Sequence, residues 1–581
     1  MAPRYVAVLA APGGPDPADR AKLAKAGLEP VFSHLGISVF ASADMPTVAF
    51  DADRGLIVGT LFERARFARV MKLDGVATRS IVTTECENLL RDYWGGYVAF
   101  VRGTSAVANM VLRDPSGAMP AYYAEIGGSL IFASDVDSLM AAGVPRPGID
   151  WGFFRQHFLA FDLRTPRTAL AGVTELLAGF SLRTERTHRA IAQRWTPWNY
   201  TERLPASSRS EMVEMVRDTV IGATTALAGT YRQVLLGVSG GLDSSVLACS
   251  LAKSATRWVG FNMMTSDVSG DERKYARAVR DALNFELHEA AHNVDDVDVL
   301  RSSAAYLPRP LQYAFGQSES RFKFALAKSL GAEAIFTGVG GDNVFCLMQS
   351  ASPALDRFLT EGATAGTATT VNDICLLAGC SGFDVITMAA RRLMRSRRPY
   401  TWQTDTRFLS ADFLSGDLTL EDHPWLRDIG NVLPGKAAHV SMLARIQGTI
   451  DGYPRAGHPV QILPLISQPV MESCLRVPTW EWVAGGQDRS LVRDGFADRL
   501  PELIVRRRSK AGPTSFAYEV IELNRSALRD QLCNGLLARQ GLIDVTAIKA
   551  ALSPHSVMRS NDHLRLSLIA EAEAWARKWS V

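Results

Sequence analysis

The sequence predicts an α/β chain in two parts: an α+β domain over residues 1–200, then a parallel-sheet domain with a helical C-terminal part over 201–581. Three observations carry that expectation. Short β-prone runs crowd the first 200 residues. From Val234 onward strand and helix patterns alternate, as a parallel sheet requires. Beyond about residue 350 the apolar spacing turns mainly helical. A chain of 581 residues is long enough for two or more domains.

In the first part the β-prone runs are Tyr5 to Ala10, Ile37 to Ala41, Thr47 to Phe50, Gly55 to Gly59, Tyr97 to Val101, Ala108 to Arg113 and Ser129 to Ala133. Glu85 to Tyr93 reads as a helix between them. A Pro- and Ser-bearing stretch over about 195–210 reads as a linker. Ser210 to Thr230 then has apolar residues at helical spacing.

The second part begins at Val234-Leu-Leu-Gly-Val-Ser-Gly-Gly-Leu-Asp-Ser-Ser-Val246. An apolar strand runs into a Gly-Gly turn and then a helix. Such a helix N-terminus favours anions, because its first N–H groups have no partner in the helix and its dipole points positive charge outward. No lysine follows the glycines, so this is not the Walker phosphate loop. Trp258 to Met263, Phe285 to Ala290 and Ala334 to Thr337 read as further strands. Asp271 to Leu283, Asp298 to Ala305 and Glu319 to Leu330 read as helices. The last strand ends in Gly338-Val-Gly-Gly-Asp342. Both glycine loops lie at strand C-termini, where ligands of open α/β sheets bind. Helices are expected over 372–394, 435–450, 470–477, 487–499, 517–537 and 562–579. Met348 to Thr370, rich in Ala, Gly and Thr, reads as a mobile loop.

Bulk properties narrow the function classes. An apolar share of 47% and a charged share of 21% suit a globular protein. A formal net charge of +3 gives no ground for nucleic-acid binding. Two local basic runs stand out, Arg391 to Arg398 and Arg506 to Arg508. The first reads as a solvated helix end, with an acidic-partner site as the other reading. Seven cysteines without a CxxC pair argue against a disulfide framework and for a reducing cytoplasm. The N-terminal apolar run is too short for a signal peptide, and no run of 18 apolar residues appears, so no membrane association is expected.

Ser239-Gly-Gly-Leu-Asp-Ser-Ser245 resembles the pyrophosphate loop of the PP-loop ATP pyrophosphatases, which cleave ATP between the α and β phosphates. The resemblance implies an adenine-nucleotide α-hydrolase-like fold for the second part. Ser239, Gly240, Gly241, Leu242, Asp243, Ser244 and Ser245 would then bind ATP. Asp243 and Asp342, at the mouths of the two loops, would hold Mg²⁺ on the pyrophosphate, since Mg²⁺ prefers oxygen ligands and substrate phosphates. By the same resemblance Phe261, Asn262 and Met263 would lie against the adenine through their backbone, and Gly338 would close the pocket.

Val111-Leu-Arg-Asp-Pro-Ser-Gly-Ala-Met-Pro-Ala-Tyr-Tyr123 and Phe132-Ala-Ser-Asp135 resemble the glutamine amidotransferase domain of asparagine synthetases. This implies an Ntn-hydrolase-like first domain. The departures imply that its chemistry is lost. The family's nucleophile is an N-terminal cysteine, whereas position 2 is Ala2, and Val58 stands where a glutamine-binding Asn would precede Gly59. Cys86, the first cysteine, falls in an expected helix. Downstream, Leu500-Pro-Glu-Leu-Ile-Val-Arg-Arg-Arg-Ser-Lys-Ala-Gly512 resembles a segment whose lysine serves catalysis. Lys510 would reach the phosphates and the oxyanion of acyl transfer. Arg489 and Arg493 are weaker phosphate candidates. Val339 replaces a glutamate of the asparagine synthetases and an aromatic residue of the β-lactam synthetases, and it can neither bind an amino group nor act as a base.

Together these features look most like the lasso-peptide macrolactam synthetases. The resemblance implies an AMP-forming carbon–nitrogen ligase acting on a precursor peptide, with a leader peptidase and a leader-binding protein as partners. An ammonia-dependent asparagine synthetase, a small-molecule cyclase of the β-lactam type and a non-catalytic nucleotide binder remain as alternatives.

Overall fold

Two antiparallel sheets stack face to face in the first part of the chain. One has six strands in the order Thr174–Glu175, Tyr122–Ile126, Ser129–Ala133, Tyr5–Leu9, Ile37–Ala41, Glu29–His34. The other has seven; its main path runs His188–Gln193, Phe180–Glu185, Ala108–Arg113, Tyr93–Arg102, Gly55–Glu63, Thr47–Ala49, with Arg69–Val70 beside Gly55–Glu63. This computed structural model describes the chain apart from residues 1–2, 12–17, 105–107, 186–187, 203–207, 268–269, 312, 395–401, 422, 428–429, 431, 451–456, 510–511, 560 and 581. Ala2 and Lys510 therefore lie outside the described residues.

Strand alternation builds the layers. Tyr5, Ala7 and Leu9 point between the sheets, where they meet Val58, Phe100 and Val111 of the second sheet. Val6 and Val8 point the other way, into a cluster with Phe154 and Phe158 of the helix Phe153–Leu159. On the second sheet Ile57 and Ala99 face Ile81 and Leu89 of the helices Gly75–Thr83 and Glu87–Asp92. The result is a helix–sheet–sheet–helix sandwich of the Ntn-hydrolase-like kind.

The third sheet is parallel throughout, with strand order Leu287–Ala291, Arg257–Met264, Gln233–Gly237, Ala334–Phe336, Val460–Ile462. Gln233–Gly237 comes first in sequence and lies in the middle. Later strands add first on one side and then on the other. The order therefore reverses between Gln233–Gly237 and Ala334–Phe336, and a crevice opens at their C-terminal ends. Helix Arg209–Ala228 enters this sheet with a full capping box, Ser208 and Glu211 each bonding the other's backbone N–H.

Side chains join the two parts. Trp195 Nε1 donates to Glu472 Oε1 at 2.8 Å, and Gln468 Nε2 to the Leu90 carbonyl at 2.8 Å. Glu175 is fully buried among three arginines: Arg113, Arg164 at 2.7 Å and Arg309 at 2.7 Å. That arrangement gives Arg113 of the Arg-Asp-Pro-Ser-Gly motif a structural task. Its neighbour Asp114 accepts from the Ser116 and Gly117 amides and so shapes the turn.

Several expected elements differ. Asp298 to Ala305 forms turns instead of a helix, because Gln317 accepts the Asp298 amide and Glu571 accepts the Ser302 hydroxyl. Most of the expected mobile loop 348–370 is helical, as Ser352–Glu361 and the start of Ala365–Ala378. Pro353 in the first turn and the Thr364 cap start those helices where composition suggested a loop. The expected helix 372–394 is two helices, Ala365–Ala378 and Gly382–Met394, bent by 108° after Gly379, which takes φ +65°. Residues 517–537 likewise divide into Thr514–Leu523, Arg525–Cys533 and the start of Leu536–Arg539. Among the described residues no single helix is long and apolar enough to cross a membrane.

Candidate active site

Asp243 lies in the first turn of helix Leu242–Leu251, which follows the central strand. Asp342 lies in the short helix Gly341–Val344, which follows the next strand over. The two helices start on either side of the crevice, and glycines let them interlock. A Cβ on Gly341 would sit 2.3 Å from Asp243 Cγ, and one on Gly338 would sit 2.8 Å from the Ser244 amide. Gly338 thus fits against the backbone of the first glycine loop.

The first loop is braced by its own hydroxyls. Ser239 and Ser244 hydroxyls are 3.2 Å apart, and Ser244 Oγ accepts the Ser239 amide at 3.2 Å. Ser245 Oγ donates to the Gly241 carbonyl at 2.8 Å, and Leu242 is buried. Gly241 caps the helix with no side-chain bond of its own, leaving the anion-binding end to backbone N–H groups.

Strand Arg257–Met264 supports this loop from behind. The Phe261 carbonyl accepts the Val238 amide at 2.7 Å, and Asn262 Nδ2 donates to the Val238 carbonyl at 2.7 Å. Phe261 itself packs into a core cluster with Phe324 and Ile335. Phe261 therefore braces the loop through its backbone carbonyl, and Asn262 through its side-chain amide. Met263 is only partly buried.

Two arginines, distant in sequence, complete the site. Arg489 Nη1 donates to Asp243 Oδ1 at 3.1 Å and to Asp342 Oδ1 at 2.6 Å. Its Nε donates to Asp488 Oδ1 at 2.8 Å, which Arg493 Nη2 also reaches at 2.8 Å. Arg489 takes φ +51° as the cap of helix Ser490–Phe496, so the helix expected from 487 starts at 490. Burial disfavours the charge on Arg489, but the carboxylates of Asp243, Asp342 and Asp488 outweigh it and raise its pKa. Burial likewise pushes Asp488 up, and Arg489 and Arg493 outweigh it to leave the acid stronger than usual.

Arg507 donates through Nη1 to the Gly240 carbonyl at 3.0 Å and lies 3.7 Å over the Tyr275 ring. A Cβ on Gly240, at φ +69°, would meet Tyr275 Cβ at 2.3 Å. Tyr275 and Arg507 together therefore fix the glycine turn. Sequence reasoning did not single out Arg507, and the basic run Arg506 to Arg508 was its only signal.

Two carboxylate oxygens converging on one cationic nitrogen form a donor set that fits a hard divalent cation. Among the described residues no group of three or more Asp, Glu, His or Cys side chains could hold a metal unaided. Asp243 and Asp342 would thus share Mg²⁺ with phosphate oxygens and water.

Among the described residues the first domain offers no comparable cluster at Cys86 and Val58. Cys86 is fully buried, and burial pushes its thiol up to about 12. Val58 is buried between the two sheets. A cleft of about 1790 Å³ runs from Gly59 and Gly96 to Ile462 and Ile466. Ile466, which lines it, packs where a Cβ on Gly340 would lie, 2.3 Å away.

Comparison with known proteins places these features. A family model described as asparagine synthase matches residues 215–448 and 454–577, and one described as glutamine amidotransferase domain matches 80–196. No curated protein matches the chain. Among solved structures, one titled as the allosteric regulatory enzyme of purine biosynthesis is 10% identical, with 57% of this chain and 89% of that chain covered at a TM-score of 0.23. Glutamine phosphoribosylpyrophosphate amidotransferase from B. subtilis, complexed with ADP and GMP, is also 10% identical, with 57% and 90% covered at 0.22.

Proposed function

The chain belongs to the asparagine synthase family, of ATP-dependent amide-forming ligases, and from that premise we propose that it closes a macrolactam ring in a lasso precursor peptide. An Asp or Glu side-chain carboxylate of the peptide attacks the α-phosphorus of ATP. The bond to the bridging oxygen breaks and pyrophosphate leaves. The peptide's α-amine then attacks the acyl carbon and loses a proton, and the acyl–oxygen bond breaks to release AMP.

The chain's own groups divide this work. The backbone N–H groups of Ser239 to Ser245 receive the phosphates. Asp243 and Asp342 would hold Mg²⁺, which would supply charge neutralisation for the leaving pyrophosphate. Arg489 is placed to pass from these carboxylates to phosphate oxygens. Lys510, assigned from sequence, would stabilise the oxyanion of acyl transfer.

One observation supports the peptide reading over the amino-acid one. Val339 presents an apolar, 37% exposed side chain between Gly338 and Gly340 at the mouth of the second loop. An aspartate substrate would need a charged partner for its ammonium group there. A peptide whose amine is delivered by its own chain does not. The buried thiol of Cys86 agrees with a nitrogen source other than glutamine.

ATP–pyrophosphate exchange tests the reading. We expect exchange that depends on a precursor peptide with an N-terminal amine and an internal Asp or Glu, in the presence of the leader peptidase and leader-binding protein. Exchange driven by free aspartate and ammonia, and indifferent to peptide, would favour an asparagine synthetase instead.

A further inference from the structure

Helix Gly382–Met394 shows a second apolar face that the fold leaves uncovered. Of the 21 large apolar side chains exposed among the described residues, eight fall between Phe358 and Met394, so exposure here is concentrated and not scattered. Phe383 is 78% exposed, Ile386 60% and Met394 77%. With Ala390 and Leu393 they recur at helical spacing on one side. The helix's core contacts lie elsewhere: Val385 and Ala389 pack with Ile374 and Val483.

Charge adds a second signal. Arg391 and Arg392 end the helix, and the sequence continues through Arg395, Arg397 and Arg398, with no acid from 391 to 398. The one acid in the helix, Asp384, lies at the other end, where it accepts the Ser381 hydroxyl at 2.6 Å.

We propose that this helix docks the protein on an anionic lipid surface. An outward stripe of Phe, Ile, Leu and Met on a helix that ends in Arg391 and Arg392 combines apolar insertion with attraction to anionic headgroups, and neither needs a shaped groove. The association is peripheral. The helices of 14 and 13 residues are bent by 108°, whereas a span needs about 20 residues in line.

Vesicle sedimentation of the full chain decides this. Vesicles with about 30% phosphatidylglycerol should pull down at least about tenfold more protein than pure phosphatidylcholine. Roughly 0.5 M salt should reverse most of that gain. Phe383→Asp with Met394→Asp should abolish the binding, and Arg391→Glu should weaken it severalfold. All three sites are exposed, so thermal unfolding should stay as in the wild type. The milder Phe383→Ser serves if the double variant misfolds. Equal sedimentation with both lipids, or binding untouched by the substitutions, would overturn the proposal. So would a stable dimer that the Asp substitutions split, because the face would then belong to a second copy.

Discussion

Arg489 Nη1 stands 2.6 Å from Asp342 Oδ1, and the same nitrogen reaches Asp243 Oδ1 at 3.1 Å. One guanidinium thus bridges two carboxylates that the fold brings together at the crevice. Under the proposed function Asp243 and Asp342 would also hold Mg²⁺.

Replacing Arg489 with Met should therefore remove the cation that bridges the two carboxylates. We expect a loss of about 1–3 kcal/mol in urea unfolding without metal, below the range for a fully buried pair because Asp342 is partly exposed. Millimolar Mg²⁺ should restore much of that loss in the variant and do little for the wild type. A variant as stable as the wild type in EDTA would show that Arg489 is not the counter-cation.

Gly341→Ala tests the interlock of the two loops. The new Cβ would lie 2.3 Å from Asp243 Cγ, so the carboxylate must move. A displacement of that size in a reacting constellation costs on the order of 100-fold, and exchange should fall by about that factor with the fold intact. Gly316→Ala is the control, since nothing lies within 4 Å of its added methyl. Equal activity in the two variants would remove Asp243 from the site.

Legibility in the sequence followed the range of the interactions. Ser239 to Ser245 could be read because a strand, a glycine turn and a helix start are local, and Asp342 because its loop repeats that grammar. Arg489 was seen only as a weak phosphate candidate, since its partners lie 246 and 147 residues away. Arg507, 267 residues from Gly240, was hidden inside a basic run. Val460–Ile462 and Thr174–Glu175 are too short to show a period, and the second is fixed by the arginines around Glu175. The break after Ala378 escaped notice because the apolar spacing resumes on the far side of Gly379.

Cys86 should be chemically silent. It is fully buried at φ +69°, and a thiol held near pKa 12 supplies almost no thiolate at neutral pH. Cys86→Ser should leave pyrophosphate exchange within about twofold, and the wild type should release no glutamate from glutamine above the blank. Glutamate release that Cys86→Ser abolishes would reverse the assignment of a lost glutaminase.

Glu571 makes stability depend on pH. It sits inside helix Asp562–Trp579, where its Oε1 accepts the Ser302 hydroxyl at 2.5 Å and the Ala304 amide at 3.4 Å. Burial raises its pKa from 4.5 to about 8, beyond what those hydrogen bonds recover. The folded state therefore holds a proton that the unfolded chain gives up. The stability this contributes is present below the unfolded pKa and is lost as pH rises towards 8, at a slope of at most about 1.4 kcal/mol per pH unit. Melting temperature should fall between about pH 5 and 8 in the wild type. Glu571→Gln keeps a neutral side chain of the same shape and should flatten that fall. An unchanged slope in the variant would mean that Glu571 is ionised in the folded protein.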